Sequence, residues 1–298
     1  MISVTGLSKH FGRRLAVDDL TFDVAAGRVT GFVGPNGAGK STTMRMMVGL
    51  TRPDRGDVRY DGVSYTRLRH PARVVGAVLD ARCMHPGRTA RNHLLAASAL
   101  SGLAPGRVDE VLAEVGLDSA ADDRAGGFSL GMRQRLALAG ALLGAPEVLL
   151  LDEPSNGLDP DGIRWLRHSL RGFADRGGTV FVSSHLIAAL AMFADDLVVV
   201  GGGKLLAAEP LQATLARGGS HVLVRSPQVR QLARLLTDHG LDADVVGDQL
   251  SLRGATTAMV SQLAFDHRIQ VTEITETSRS LEEILIDMTG ASAEFAAA

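Results

Sequence analysis

Apolar positions in this chain gather into short unbroken runs separated by amphipathic stretches. "VTGFV" at Val29–Val33, bounded by Gly27 and Gly34 and carrying β-branched residues, predicts a buried strand. "VLLL" at Val148–Leu151, just after Pro146, and "TVFV" at 179–182 predict two more. Between them the period changes. "KSTTMRMMVGL" sets Met44, Met47 and Val48 at helical spacing and ends at Gly49, while "RNHLLAASALSGL", "RVDEVLAEVGL" and "MRQRLALAGALLG" predict further helices. Strands alternating with helices make the first part of the chain α/β.

After about Gly218 the pattern becomes that of a smaller unit. "HVLVRS" predicts a strand, "QVRQLARLLTDHG" a helix, "ADVVG" and "LSLRG" a hairpin around Gly247, "TTAMVSQLAFDH" a helix and "IQVTEI" a strand. This βαββαβ order fits a small ferredoxin-like, split-βαβ sandwich, and "SLEEILIDMTG" then opens with a capping box of Ser280 and Glu283. The expected division is residues 1–218, residues 219–290 and a disordered, low-complexity tail at 291–298.

Composition narrows the class. With 298 residues, 45% hydrophobic and 21% charged, the chain has an ordinary globular make-up and can hold a sizeable core. The 31 basic and 33 acidic side chains nearly cancel and no long run of like charge occurs, so nucleic acid is not an expected partner. The single cysteine, Cys83, cannot close an internal disulfide and reads as a small apolar filler. No stretch reaches the roughly 18 to 20 apolar residues of a membrane span, and "MISVTGLSKHFGRR" does not read as a secretory signal.

The chemistry starts at "FVGPNGAGKSTT". Gly34, Pro35, Asn36, Gly37, Ala38, Gly39, Lys40 and Ser41 match the phosphate-binding pattern G-x-x-x-x-G-K-[ST], placed as it should be between a strand and a helix. Glycines let backbone N–H groups converge on phosphate oxygens with no Cβ in the way, and the helix turns its positive end toward them. Lys40 reaches the β- and γ-phosphates of a nucleotide, Ser41 ligates Mg²⁺ and Thr42 bonds an inner phosphate. The acids Asp152 and Glu153 end a buried strand, where side chains face the ligand crevice, and suit a magnesium ligand and a water-polarising base. Standing alone, such a pair also suits a solvated turn. His185, after "TVFVSS", either donates to a γ-phosphate oxygen or opens the helix "HLIAALAMF".

The order of these motifs, with "FSLGM" at Phe128 to Met132 upstream of the acids and "NGLDP" after them, resembles the ATP-binding subunits of ABC transporters, over about residues 1–218. The resemblance implies a P-loop NTPase cassette, a mixed-sheet core plus a helical subdomain at about 89–145, followed here by a small α+β C-terminal domain. It implies that Ser129 and the amide of Gly131 touch the γ-phosphate of ATP held by a second copy, with Asp159 at the seam. Ser129 and Asp159 are also good helix N-caps, the latter followed by Pro160. Phe11 matches the position where these cassettes stack a ring on adenine; its alternative is a strand-edge core residue. Asp80 stands where the family has a glutamine that senses the metal or the water, a departure that adds negative charge beside Asp152 and Glu153. Trp165 is expected to be a core anchor.

Taken together these implied roles make Glu153, His185 and Lys40 the catalytic set, Ser41, Asp80 and Asp152 the metal set, and ATP and Mg²⁺ the cofactors. The expected machine is a homodimer on the cytoplasmic face of the membrane, peripheral to a separate transmembrane permease whose coupling helix enters the helical subdomain's groove. C-terminal additions of this kind occur in exporters of drugs and antibiotics, so export is preferred to import. The competing readings are a clamp working without a permease, in ribosome protection or DNA repair, and a nucleotide sensor that does not hydrolyse. The single cassette without a long inserted coiled coil disfavours the first, and Lys40, Asp152, Glu153 and His185 disfavour the second.

Overall fold

The computed structural model describes residues 1–80 and 84–290; Cys83 and the 291–298 tail lie outside the described residues. The chain divides into two compact units, of which Gln212–Asp287 is the second. In the first unit the elements run β1 (Ile2–Phe11), β2 (Arg14–Val24), β3 (Val29–Val33), α1 (Lys40–Met47), β4 (Arg55–Tyr60), β5 (Val63–Ser64), α2 (Pro71–Val74) and β6 (Val75–Val78). They continue through α3 (Ala90–Leu100), α4 (Arg107–Glu114), α5 (Leu130–Leu142), β7 (Val148–Leu151), α6 (Pro160–Asp175), β8 (Thr179–Ser183), α7 (Ile187–Ala191), β9 (Asp196–Gly201) and β10 (Lys204–Pro210).

Two sheets result. One has the order β2-β1-β4-β5, the other β10-β9-β3-β8-β7-β6. In the larger sheet β3, β6, β7, β8 and β9 are parallel, and β10 adds an antiparallel edge. The apolar runs become its inner strands because both faces are covered: every residue of β3, β7 and β8 is buried. Three phenylalanines join the two sheets. Phe32 of β3 and Phe181 of β8 stack at 5.0 Å between centroids, and Phe22 of β2 lies 5.8 Å from Phe181. Burial of each ring contributes about 1.5–3 kcal/mol. The helices α3, α4 and α5 pack on one another through Leu94, Val111, Leu112 and Leu136, all fully buried or nearly so, and form the helical subdomain.

One alternative is excluded here and one expectation is corrected. His185 does not open a helix: α7 starts only at Ile187. Trp165 is half-buried rather than in the core, with the Arg135 guanidinium 4.2 Å from its ring centroid.

The second unit holds α8 (Leu211–Arg217), β11 (Ser220–Arg225), α9 (Val229–Asp238), β12 (Asp242–Val246), β13 (Gln249–Arg253), α10 (Thr257–Asp266), β14 (Glu273–Ser278) and α11 (Leu281–Gly290). The boundary lies between Leu211 and Gln212, in the first turn of α8, and just after α8 a Cβ on Gly218 would sit 2.7 Å from Ile284 Cδ1 of α11. The sheet order is β12-β13-β11-β14 with all pairs antiparallel, two interleaved βαβ units. Val222, Val224, Leu250 and Leu252 face Leu232, Leu236 and Val260 of the helices. The capping box forms, with the Ser280 amide donating to Glu283 Oε2 at 3.0 Å and the Glu283 amide to Ser280 Oγ at 3.2 Å. The last strand is shifted from "IQVTEI" to Glu273–Ser278, because β11 ends at Arg225 and offers no ladder to residues 269–272 beyond the bond from the Thr272 amide. Among the described residues no helix is long and apolar enough to cross a membrane.

Candidate active site

All the parallel strands of the large sheet end at one edge, and the loops leaving β3, β7 and β8 lie side by side there because the strands are neighbours. The loop from Gly34 to Gly39 leads directly into α1. Its glycines answer steric demands. A Cβ at Gly34 would stand 2.2 Å from the Val200 carbonyl oxygen, and Gly39, at φ +97°, would place one 2.5 Å from the Ala16 carbonyl oxygen. The loop lies against the backbone of β2 and β9, and only glycine fits. Lys40 is buried, and its Nζ donates to the carbonyl oxygens of Gly34 at 2.6 Å and Pro35 at 3.3 Å. Desolvation lowers its pKa, opposed by the charges of Glu153 and Asp152.

At the end of β7 the Asp152 amide is tied to the Val78 carbonyl oxygen of β6 at 2.8 Å. Glu153 adopts the left-handed conformation, φ +50°, uncommon for a residue with a side chain. The buried Ser183 holds both acids: its Oγ donates to Asp152 Oδ1 at 2.6 Å and accepts from the Glu153 amide at 2.8 Å. His185 contacts Glu153 twice, its amide donating to Oε2 at 3.1 Å and its Nδ1 meeting the same oxygen at 2.6 Å. Since a carboxylate only accepts, Nδ1 carries the proton and leaves Nε2 to face other partners.

Phe11, Arg14, Ala16, Asn36, Gly37, Gly39, Lys40, Ser41, Thr42 and Glu153 line one cleft of about 340 Å³. Phe11 is 53% exposed, which excludes the strand-edge core alternative. The acids are not solvated turn residues, because Ser183 and His185 fix them toward Lys40. Ser183, Arg14 and Ala16 are the contributors that the motifs did not single out. Ser183 was legible only as the small polar end of an apolar run, and Arg14 carried no pattern at all.

The remaining expected residues lie elsewhere. Asp80 lines a second groove of about 410 Å³ with Leu50, Tyr65, Leu79, Met84 and His93, rather than the cleft of Ser41 and Glu153. Ser129 caps α5, its Oγ accepting from the Met132 amide at 3.2 Å, and Gly131 lies in the first turn of that helix. Asp159 caps α6, accepting from the Gly162 amide at 2.7 Å with Pro160 at the first helical position. None of these three lines the cleft.

Comparison with known proteins agrees with this arrangement. The ABC transporter family model matches residues 17–156, and a domain of unknown function, DUF8746, matches residues 220–282. The uncharacterized ABC transporter ATP-binding protein YhcH of Bacillus subtilis (strain 168) is 34% identical over 99% of this chain and 97% of its own length. The bacitracin transport ATP-binding protein BcrA of Bacillus licheniformis is 33% identical, over 97% of each chain. A solved ATP-binding subunit of an ABC transporter superposes with a TM-score of 0.66 at 26% identity, covering 73% of this chain and 92% of that one. A loop shaped for phosphate, two acids held beside its lysine and likeness along nearly the whole length place this chain in the family of ABC transporter ATP-binding proteins, which bind and hydrolyse ATP.

Proposed function

We propose that two copies of this chain close head to tail around two ATP molecules and that the pair powers export of antibiotics or related hydrophobic compounds through a separately encoded permease. One observation carries the dimer: the cleft holds Lys40, Ser41, Thr42 and Glu153, while the helix N-termini at Ser129 and Asp159, suited to a phosphate, open outside it. A second protomer supplies what one lacks. The export reading draws on the bacitracin transport relative and on likeness that extends through the C-terminal unit. The chain then sits peripherally at the cytoplasmic face of the membrane, with the permease's coupling helix in the groove of Leu50, Tyr65 and Leu79.

In this reading Phe11 offers its face to adenine and the Gly34–Gly39 amides hold the phosphates. Lys40 leaves the Gly34 carbonyl to meet the β- and γ-oxygens, and Glu153, aligned by His185 Nδ1, polarises the attacking water. His185 Nε2 holds a γ-oxygen. The oxygen donors Ser41 and Asp152 suit Mg²⁺, a hard cation that keeps waters and takes phosphate oxygens, and when bound it neutralises charge that develops on the transferring phosphoryl group. Mixing Lys40→Ala with Ser129→Arg chains tests the shared pocket. Each alone is inactive, and the mixture recovers ATPase activity from the one intact composite site; no recovery from folded chains beside an active wild type overturns the reading.

A further inference from the structure

The reading above asks two N-caps on different helices to reach one ATP together. Ser129 opens α5, which belongs to the helical subdomain, and Asp159 opens α6, which packs on β8 of the sheet. α5 makes contact at two heights, with the loop leading into α6 and with α6 itself. Near the caps, Leu130 of α5 rests on Gly157: a Cβ there would lie 2.3 Å from Leu130 Cδ2. Six residues beyond each cap, roughly 9 Å down each helix, stand Arg135 and Trp165. The Arg135 guanidinium lies 4.2 Å from the centroid of the Trp165 ring, a cation–π contact on a half-buried indole. The same side chain reaches the end of α4, where Nη1 donates to the Val115 carbonyl oxygen at 2.9 Å. Gly116 follows at φ +68°, and a Cβ there would stand 3.0 Å from Nη1. One guanidinium therefore links the C-terminal end of α4 to the bodies of α5 and α6.

We infer that Arg135 is a positioning residue for ATP hydrolysis: stacked on Trp165, it holds the Ser129 cap and the Asp159 cap at a fixed spacing, so that both arrive on the partner's nucleotide in one closing motion. This rests on the composite-site reading and adds the device that sets its geometry. The planar guanidinium is needed because it stacks with its face while donating from its edge, whereas a lysine ammonium has no plane to stack and only a point charge to place. Neither residue touches the cleft, so the effect falls on closure and not on the first encounter with ATP.

Trp165 is the single tryptophan of the chain, so its emission reports the contact directly. The test measures four things on Arg135→Gln, Arg135→Lys and Trp165→Leu: ATP affinity of the open chain, ATP-driven dimerisation in a Glu153→Gln background, steady-state turnover, and, where the indole remains, its emission with and without ATP. Arg135→Gln and Trp165→Leu are expected to bind ATP as wild type does, yet to dimerise and turn over about tenfold less well. Arg135→Lys recovers part of the loss. Emission of wild type responds to ATP, and that of Arg135→Gln does not. The inference is overturned if Arg135→Gln closes like wild type, or if ATP affinity and closure fall by the same factor with no recovery in Arg135→Lys. Should Arg135→Gln prove insoluble, Trp165→Leu alone carries the decision on the same criteria. Failure of the wild type itself to dimerise with ATP, or of the Lys40→Ala and Ser129→Arg mixture to regain activity, sinks the composite site instead; emission differing between unliganded wild type and Arg135→Gln then still reports the contact.

Discussion

Two of the three sheets, the six-stranded one and that of β11–β14, bury similar residues and present different edges. In the large sheet β3, β6, β7, β8 and β9 all point one way, so the loops that follow them share one rim. Gly34, Asp152 and Ser183 are far apart in sequence and adjacent there. In the sheet of β11–β14 every neighbour is antiparallel, so β11 and β12 end at one rim and β13 and β14 at the other. Its inward residues Val222, Val224, Leu250 and Leu252 make a sound core, but its strand ends are split two and two between the rims, where the large sheet gathers five on one. Parallel order concentrates polar chemistry, and antiparallel order disperses it.

The comparison breaks first, if it breaks, at Glu153. Glu153→Gln is expected to bind ATP and dimerise while turnover falls about 10²–10⁴-fold, the range for loss of a general base. Steady-state phosphate release checks this, and undiminished turnover removes Glu153 from the mechanism. A smaller effect is expected from the other sheet. Leu250→Ala empties a fully buried position and should destabilise the second unit by about 2–5 kcal/mol in denaturant melts, with ATPase activity per folded chain unchanged. A parallel fall in activity would show that the two regions are less separate in function than their edges suggest.

The smallest effect is expected at the rim next to β6, where His93 lines the groove with Asp80. Burial first, and the charge of Arg88 second, hold the His93 pKa below 6.5, and its Nδ1 is buried with no hydrogen-bond partner. The sign follows from the neutral form being favoured in the fold. The stability that His93 contributes is full above the unfolded value of 6.5 and is lost as pH falls below it toward the depressed folded value. Thermal melts between about pH 7.5 and about pH 5 should show a smaller acid loss for His93→Leu than for wild type; an equal loss assigns the sensitivity to other groups.

Much of this was legible beforehand because it is local. A run such as "VTGFV" must be covered, glycines in "GPNGAGKS" answer a short-range steric demand, and Ser129 and Asp159 cap helices that begin at the next residue. The shift of the last strand to Glu273 was hidden, since the length of a ladder depends on where its neighbour ends, here Arg225 of β11. Trp165 was misread for a similar reason. Its apolar bulk suggested the core, and its stacking partner Arg135 lies thirty residues away on another helix, a pairing that hydrophobic period does not encode.

Residue order alone was enough to establish the alternation of strands and helices, the phosphate loop and the family, because each rests on neighbours along the chain. Which polar groups meet was settled by folding: Ser183 holding Asp152 and Glu153, His185 bonded to Glu153, Asp80 turned to a different groove, and Arg135 spanning three helices. Those contacts depend on strand order and on the angle between packed helices, and both arise from burying apolar area across the whole unit.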